Sequence, residues 1–429
     1  MYFFYNAILL LAAAVGLPYY LFKIVFAGKY RKSFVPKFGG RQAKKFRHLK
    51  DGPRIWVHAV SVGEVTAAAP IVASLKARKP DTRIIFSTST ETGQDMARKF
   101  INKADALIYY PLDAPWVVRK MLDLARPDVF VAVETELWPN FLHQCAARGV
   151  RTLMVNGRIS PRSYKRYYRT RWFWKRVLRD LNAAAMISEI DAERIRDIGM
   201  EPAKIKILGN AKYDGLASAV SPVLREEISR RFRVREGEKY FVAGSTHEGE
   251  EKIVIDVYRK LLARYPELKL ILVPRHIERT AEVVQLLKRE NLSDVITLSE
   301  MNAGRPRRDE RVVVVDVIGE LFKIYALADV VFCGGSLVPR GGQNILEAAA
   351  WGKVIFYGPS MEDFSREKAL LEEVGCGNTI RDAEELLQGI TELLDRPQEL
   401  HDRGERGREI VLANIGAAAR YADFIAKHL

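Results

Sequence analysis

The chain has 429 residues, which is too many for one ordinary hydrophobic core, so we expect two domains with additional segments. Its three cysteines are scattered, no Cys-x-x-Cys pair occurs and His is sparse, which argues against a disulfide framework or a structural zinc site. The formal net charge of +15 favours a polyanionic partner: nucleic acid, anionic lipid or a phosphorylated substrate.

The N-terminal run from Tyr2 to Phe22 is almost wholly apolar, and about 20 such residues can span a bilayer. Positive charge follows the run rather than preceding it. This pattern predicts an uncleaved anchor helix over residues 1–25 and a basic juxtamembrane segment over 26–53, with the rest of the chain on the cytoplasmic side of the inner membrane. A helix lying in the membrane interface is the alternative, because Pro18 could break the span. The basic segment carries Lys29, Arg31, Lys32, Lys37, Arg41, Lys44, Lys45, Arg47 and Lys50.

Short apolar runs alternate with helical patterns from Arg54 onward. Seven runs in the first half predict strands: RIWVHAV, RIIFST, ALIYY, DVFVAVE, RTLMVN, AAAMIS and KIKILG. Strands that are apolar throughout and separated by helices predict a parallel sheet covered on both faces. We therefore expect a Rossmann-like, doubly wound α/β domain over residues 54–215.

Charged side chains follow several of these strands, at the sheet edge where such folds bind ligands. Glu64 follows the first strand and is either a first-turn helix acid, favoured by the helix dipole, or a catalytic base. Glu134 and Glu136 follow the fourth strand; in an extended segment they would point to opposite sides, so at most one would face the site. Lys212 follows the seventh strand and is either a solvated loop lysine or an anion-binding group.

Residues 151–179 form a second basic block without any acidic residue. Tyr164, Tyr168 and Trp172 are spaced four apart, which predicts that they share one helical face. Aromatic side chains mixed with cations are typical of a membrane interface, although a solvated basic helix would show the same pattern. The residues expected at this membrane surface are Tyr164, Lys165, Arg166, Tyr168, Arg169 and Trp172.

A linker with a polar helix is predicted over residues 216–236. A second α/β domain follows over 237–396, with predicted strands KYFVAGS, LKLILVP, DVITL, RVVVVD, DVVFCGG and KVIFYG. Residues 397–429 are predicted to be helices that could pack back on the first domain. Two such domains would face each other across a cleft.

The strand ends of the second domain carry residues suited to a nucleotide. Ser245 and Thr246 can cap the next helix, whose free N–H groups suit an anion. Arg275 follows Pro274 at the end of the next strand, where a guanidinium can fork onto a phosphate. Gly319–Leu321 follows a further strand, so these segments are expected at one edge of the sheet.

The segment GGQNILEAAAWG gives the strongest indication of a nucleotide. Gly341 and Gly342 permit close backbone approach to a ligand, and a carboxylate such as Glu347 can accept hydrogen bonds from ribose hydroxyls. A capping box would explain Asn344 and Glu347 equally well. No GxxxxGK[ST] loop, no GxGxxG after a strand and no DxD-like or His-rich metal cluster occurs, so a nucleotide sugar handled without metal or cofactor fits the pattern.

The strings HAVSVGE, ETELWPN, NGRIS, GNAKYD, PRH and GGQNILE, in that order, resemble the 3-deoxy-D-manno-octulosonic acid (Kdo) transferases of Gram-negative bacteria. The resemblance covers the chain from its apolar start to its last helices. One departure is Gln343, where the family motif carries His. The resemblance implies a membrane-associated, inverting glycosyltransferase of the GT-B fold that moves Kdo from CMP-Kdo to the lipid A precursor in lipopolysaccharide core biosynthesis.

The resemblance also implies roles for individual residues. Glu64 matches the general base, and Glu134 and Lys212 match residues that stabilise the transition state. Ser245 and Thr246 are further candidates for donor contacts. The residues implied to hold CMP are Pro274, Arg275, Gly319, Glu320, Leu321, Asn344, Ile345, Leu346 and Glu347.

Two other functions fit parts of the pattern. Another membrane-bound GT-B transferase could use a different nucleotide sugar. A membrane-tethered nucleic-acid-binding protein would explain the basic charge and the interleaved aromatic residues. It has no known nucleic-acid motif, however, and it leaves the polar residues at successive strand ends unexplained, so we do not expect nucleic acid as a partner.

Overall fold

The structure is a computed structural model that describes residues 1–26, 32–40, 42–46 and 48–429. Lys29, Arg31, Arg41 and Arg47 of the predicted basic segment lie outside the described residues. The chain divides into two compact units. The first unit comprises Met1–Gly215 and Asn414–Leu429, and the second comprises Leu216–Ala413.

Three helices precede the first strand: α1 (Tyr2–Val25), α2 (Phe34–Lys37) and α3 (Ala43–Phe46). The start of α1 is bound to the first unit, because the hydroxyls of Tyr2 and Tyr5 donate to Asp180 and Asp113 at 2.8 and 2.9 Å. In the described part of the chain, no helix combines the length and the hydropathy needed to cross a membrane. The predicted transmembrane anchor is therefore not supported.

Seven strands form the sheet of the first unit: β1 (Arg54–His58), β2 (Arg83–Thr88), β3 (Ala106–Tyr109), β4 (Val129–Val133), β5 (Arg151–Gly157), β6 (Ala183–Met186) and β7 (Ile205–Ile207). All neighbouring strands are parallel, in the spatial order β3-β2-β1-β4-β5-β6-β7. Every residue of β4 is buried, as expected for a central strand covered on both faces. The seven strands predicted for this half are confirmed.

The helices that follow these strands are α4 (Val62–Arg78), α5 (Glu91–Phe100), α6 (Pro115–Ala125), α7 (Pro139–Ala147), α8 (Pro161–Arg169), α9 (Arg171–Arg179), α10 (Glu189–Ile198) and α11 (Lys212–Ala219), with a 3₁₀ turn at Pro202–Lys204. Three of them begin with proline, whose fixed φ suits the first helical position and whose missing N–H is not needed there. Alternate residues of β1 point to opposite faces of the sheet. Trp56 packs in one core with Phe130, whereas Ile55 and Val57 pack in the other.

The second unit has its own parallel sheet: β8 (Lys239–Thr246), β9 (Leu268–Pro274), β10 (Val295–Thr297), β11 (Val312–Val314), β12 (Val330–Cys333), β13 (Val354–Tyr357) and β14 (Gly377–Thr379). Their spatial order is β10-β11-β9-β8-β12-β13-β14, and all neighbours are parallel. Six of these strands were predicted. The edge strand β14 was missed because its sequence, Gly-Asn-Thr, contains no apolar run; its pairing with β13 defines it.

The helices of the second unit are α12 (Pro222–Phe232), α13 (Glu250–Leu262), α14 (Thr280–Arg289), α15 (Leu298–Asn302), α16 (Leu321–Ile324), α17 (Leu346–Ala350), α18 (Ser365–Glu373), α19 (Ala383–Leu394) and α20 (Pro397–Ala413). Short 3₁₀ turns lie at Ile277–Arg279, Tyr325–Leu327 and Glu362–Phe364. The last helix, α21 (Ala417–Ala426), belongs to the first unit, where it packs in the same core as α4.

Candidate active site

Glu64 lies in the first turn of α4, directly after the turn that leaves β1. Its carboxylate folds back on that turn: the Val60 N–H donates to Oε2, and the Ser61 hydroxyl donates to Oε1 at 3.2 Å. Burial, followed by the negative charge of Glu134, raises the pKa of Glu64 to about 7, although the Val60 hydrogen bond acts in the opposite direction. A carboxyl group with this pKa can take up a proton near neutral pH.

Glu134 adopts a left-handed backbone conformation, with φ of +62°, immediately after β4. In an extended segment, Glu134 and Glu136 would point to opposite sides of the backbone. That expectation does not hold, because the backbone turns at Glu134. The charge of Glu134 acts on Glu64, and the charges of Glu64 and Glu134 both act on Glu136. The turn therefore gathers three carboxyl groups into one electrostatic cluster.

The pKa of Glu136 is raised further than the pKa of Glu64. Burial raises its pKa to about 8, and the charges of Glu64 and Glu134 add to the effect. The indole N–H of Trp138 donates to Glu136 Oε2 at 2.9 Å. The surroundings of Glu136 therefore favour its protonated form, which can act as a hydrogen-bond donor.

Lys212 supplies positive charge to the cluster. Its Nζ lies 2.7 Å from Glu134 Oε1, and both side chains are 19% exposed. The loop that carries Lys212 from the end of β7 reaches across the sheet, since the Ala211 N–H donates to Asn156 Oδ1 at the end of β5, at 2.9 Å. The carboxyl ends of parallel strands meet at one edge, which explains how residues from β1, β4 and β7 come together.

The cluster does not have the arrangement of a metal site. Within the described residues, no group of three or more His, Cys, Asp or Glu side chains could hold a metal ion. The chemistry that the residues themselves offer is proton uptake by Glu64 beside an ion pair.

The candidate nucleotide residues of the second unit also meet at one sheet edge. β8 lies between β9 and β12, and all three strands run parallel. Thr246 is in register with Pro274, and the Arg275 N–H donates to the Thr246 carbonyl at 2.9 Å. The Arg275 side chain is exposed, and among the described residues its guanidinium has no ion-pair partner. It is therefore available to an anionic ligand.

The turn Gly319–Leu321 is held by cations from its own unit. Arg231 of α12 donates to Glu320 at 2.7 Å, and Lys323 donates to the same carboxylate at 3.2 Å. Burial alone would raise the pKa of Glu320, but the hydrogen bonds from Arg231 and Lys323 outweigh it and lower that pKa. The Glu320 side chain is therefore engaged in positioning the turn.

The segment Asn344–Glu347 forms the start of α17, where Asn344 makes hydrogen bonds to the first residues of the helix. The Asn344 amide donates to Glu347 Oε1 at 3.1 Å and accepts from the Leu346 N–H at 3.3 Å. Ile345 and Leu346 are each 1% exposed, so their side chains belong to the core and only their backbone can reach a ligand. Gly341 and Gly342, with φ of +82° and +80°, adopt the left-handed conformation that glycine tolerates best.

A family model described as 3-deoxy-D-manno-octulosonic-acid transferase (kdotransferase) matches residues 31–215. Over its whole length the chain is 32% identical to the 3-deoxy-D-manno-octulosonic acid transferase of Haemophilus influenzae, and it covers 98% of that protein. The chain belongs to the Kdo transferase family. It is accordingly a glycosyltransferase.

Two further comparisons place this Kdo transferase among known proteins. It is 34% identical, over 84% of its length, to a bifunctional glycosyltransferase/methyltransferase of Fusobacterium nucleatum, and it spans 55% of that longer protein. The solved structure of UDP-GlcNAc 2-epimerase from Neisseria meningitidis matches with a TM-score of 0.61 at 10% identity, covering 87% of this chain and 99% of that one. The structural likeness shows the fold: two parallel-sheet α/β units that resemble those of GT-B glycosyltransferases.

The predicted aromatic face of this transferase is divided between two helices. The helix breaks at Thr170, between α8 and α9, so the expectation of one continuous helical face is wrong. The Tyr164 hydroxyl donates to Asp197 at 2.9 Å, whereas Tyr168 and Trp172 are 43% and 69% exposed. The cations at this surface are exposed: Lys165, Arg166, Arg169 and Arg171.

Two residues that organise the candidate residues, one in each unit, were not predicted. Asn156, with φ of +52°, holds the loop before Lys212, and Arg231 holds Glu320. The Asn-Gly pair at the end of β5 could have signalled Asn156, because asparagine tolerates left-handed backbone. Arg231 lies in the linker helix, where a basic residue carries no local signal for a contact distant in the sequence.

Proposed function

We propose that this chain transfers Kdo from CMP-Kdo to the lipid A precursor with inversion at the anomeric carbon. The observation that carries the proposal is the half-buried carboxyl group of Glu64, whose pKa of about 7 suits a general base, beside the Glu134–Lys212 ion pair. Kdo transfer in lipopolysaccharide core biosynthesis is the function to which the family relationship points.

Glu64 acts as the base in the proposed step. Its carboxylate takes the proton from an acceptor hydroxyl while that oxygen forms a bond to the anomeric carbon of Kdo. The bond from this carbon to the CMP phosphate oxygen breaks on the opposite face, and its electron pair leaves with CMP. General-base assistance of this kind contributes roughly 10²- to 10⁴-fold in rate.

Charge that develops during the step is balanced by Glu134 and Lys212. The anomeric carbon becomes oxocarbenium-like, which a carboxylate such as Glu134 stabilises. Negative charge grows on the departing phosphate, and Lys212 is the cation of the first unit that we assign to it. The 2.7 Å contact between Lys212 Nζ and Glu134 Oε1 supports this assignment, since it holds both charges in one place.

The second unit supplies the nucleotide site in this proposal. Arg275 meets the phosphate, Asn344 and Glu347 meet the ribose, and the backbone around Gly319 and Thr246 completes the contacts with CMP. The support is their convergence at the carboxyl edge of one parallel sheet, where ligands of doubly wound folds bind.

We also propose that the enzyme works at the cytoplasmic surface of the inner membrane, where the lipid acceptor is found. The apolar side chains of α1 are largely exposed: Phe3, Phe4, Val15 and Phe22 at 80, 72, 74 and 59%. Exposed apolar area of this extent fits contact with lipid. The exposed cations of α8 and α9 would attract anionic headgroups and the phosphates of the acceptor.

Mass spectrometry of reaction products tests the proposal. Purified enzyme, CMP-Kdo and the lipid A precursor should yield the precursor with added Kdo, together with free CMP. Parallel reactions with UDP- and GDP-sugars serve as controls and should yield no product. Transfer from one of those donors, with none from CMP-Kdo, would contradict the proposal.

A further inference from the structure

Glu250 is a fully buried carboxylate outside the set of candidate site residues. It is the first residue of α13 and follows the turn that leaves β8 at Thr246. The residue is 0% exposed. Burying a carboxylate is costly unless its oxygens are satisfied, so its partners show what it does.

Four backbone N–H groups bind this carboxylate. The N–H groups of His247 and Gly335 donate to Oε2 at 2.9 and 2.7 Å. Those of Ser336 and Leu337 donate to Oε1 at 3.0 and 2.9 Å. Three consecutive donors thus come from the loop after β12, and the fourth comes from the turn after β8.

Both backbone segments joined by Glu250 lead into the candidate nucleotide site. The turn after β8 contains Ser245 and Thr246, and the loop after β12 continues to Asn344–Glu347. Gly334 lies so close to this turn that an added Cβ would come within 2.6 Å of the Ser245 carbonyl oxygen. The two segments therefore pack directly against each other, with the carboxylate between their donors.

The turn after β8 also holds an unfavourable backbone conformation. Ser245, which is not glycine, has φ of +55°, and the pairing of β8 with β9 shifts register between Gly244 and Thr246. Such conformations persist only where surrounding contacts hold them. The hydrogen bonds to Glu250 are contacts of this kind.

We propose that Glu250 is a positioning residue for nucleotide binding, whose carboxylate joins the loop after β12 to the turn after β8 and so sets both CMP-contacting segments. The inference rests on the proposed CMP site. Glu250 does not itself touch CMP; it acts through the backbone that it binds.

The chemistry requires a carboxylate at this position. Each oxygen accepts two N–H donors, so all four lone-pair positions are in use. Glutamine has nearly the same shape, but its NH₂ group would face two N–H donors and accept from neither. Glu250→Gln should therefore lose the hydrogen bonds from two of the four N–H groups, while the side chain still fills the same volume.

Calorimetric titration with CMP measures the effect directly. We expect Glu250→Gln to weaken CMP binding on the order of tenfold or more. The reason is that backbone N–H groups beside the candidate nucleotide site lose hydrogen bonds to a charged carboxylate. In the transfer reaction, the KM for CMP-Kdo should rise more than kcat falls, since Glu64 is untouched.

Glu238→Gln is the matched control. Glu238 is also a carboxylate of the second unit, 8% exposed in its side chain, but it pairs with Arg307, at 2.8 Å, and accepts from the Tyr240 hydroxyl and the Arg235 N–H. This variant should lose thermal stability without a change in CMP affinity when measured below its melting temperature. Equal CMP affinity in Glu250→Gln and wild type, or an equal loss in both variants, would overturn the inference.

A second variant covers the case in which Glu250→Gln does not fold. Glu250→Asp keeps both carboxylate oxygens but is one methylene too short to reach all four donors, so CMP affinity should again fall. Wild-type affinity in the folded aspartate variant would overturn the inference. Absence of CMP binding by the wild-type enzyme would instead contradict the proposed nucleotide site, so the two failures are distinguishable.

Discussion

Opposing effects act on the charge of Glu64. As a first-turn residue it lies where the helix dipole favours a carboxylate, and the Val60 N–H donates to it. Burial and the charge of Glu134 favour the protonated acid, and they prevail, since the pKa is about 7. Glu64 is thus a first-turn helix acid and, at the same time, a group with the acidity that a general base needs.

Replacement of this base should greatly slow turnover without weakening the binding of CMP. Glu64→Gln keeps the shape of the side chain but cannot take up a proton, so kcat should fall by about 10²- to 10⁴-fold. CMP affinity, measured by calorimetry, should stay unchanged. Glu189→Gln is the matched control, because Glu189 is an exposed first-turn acid of α10 in the same unit. Near-normal turnover in Glu64→Gln would identify another residue as the base.

The pH profile of the enzyme should report the pKa of Glu64. A base must be deprotonated to act, so kcat/KM should fall as pH drops through about 7. Glu134→Gln removes a negative charge that raises this pKa, so the acid limb of the residual activity should move to lower pH. Asp197→Asn is the control, because Asp197 is bound by Tyr164 and is not among the charges that raise the pKa of Glu64. It should leave the midpoint of the acid limb unchanged. A midpoint unaffected by Glu134→Gln would contradict the electrostatic coupling.

At the scale of elements, α8 and α9 form a surface with two kinds of side chain. Tyr167, Phe173 and Trp174 pack against the core of the first unit, which anchors the pair of helices. Their outward side carries cations and the exposed Trp172, and the Arg171 guanidinium lies 4.6 Å from the centroid of the Tyr168 ring. Such a surface suits an anionic membrane, because cations attract headgroups while indole rings enter the interface.

Removal of these cations should weaken membrane binding. Replacing the four cations Lys165, Arg166, Arg169 and Arg171 with alanine should reduce sedimentation with anionic vesicles, by about 1 kcal/mol for each charge near the surface. The effect should be smaller at high salt. The matched control replaces the four exposed cations Lys252, Lys260, Lys288 and Arg289 of the second unit, which changes net charge equally. Equal vesicle binding by the two variants would exclude a specific membrane role for α8 and α9.

At the scale of the whole molecule, the chain returns to its first unit after completing the second. Tyr421 and Ile425 of α21 are fully buried in the core that contains Val65 and Val72 of α4. Asp214 accepts from the Gly416 N–H at 2.7 Å, which ties the start of this last segment to α11. Because α11 begins with Lys212, the C-terminal segment supports the helix that supplies the cation of the candidate site.

Loss of this packing should destabilise the first unit. Tyr421 is 0% exposed, and its hydroxyl donates to the Gly209 carbonyl at 2.7 Å, so Tyr421→Ala should cost about 3 to 5 kcal/mol of unfolding free energy. Lys427→Ala, at an exposed position of the same segment, is the control and should change stability by less than about 0.5 kcal/mol. Calorimetry can follow the unfolding of each unit. A lower melting temperature for the second unit alone would contradict the assignment of α21 to the core of the first unit.

The sequence by itself determined the alternation of strands and helices, because an apolar run or a helical periodicity is a local property of the chain. It also indicated Glu64, Glu134 and Lys212, since polar residues at strand ends share one edge of any parallel sheet. It failed at β14 and at Thr170, where local composition gives no sign of a sheet partner or of a helix break.

The tertiary structure alone decided the electrostatics of the site. The left-handed turn at Glu134, the raised pKa values of Glu64 and Glu136 and the ion pair with Lys212 arise from burial and from charges contributed by segments far apart in the chain. The same holds for Glu250, which as a sequence position is only a first-turn acid. Its four N–H partners come together only when the two strand ends are packed side by side.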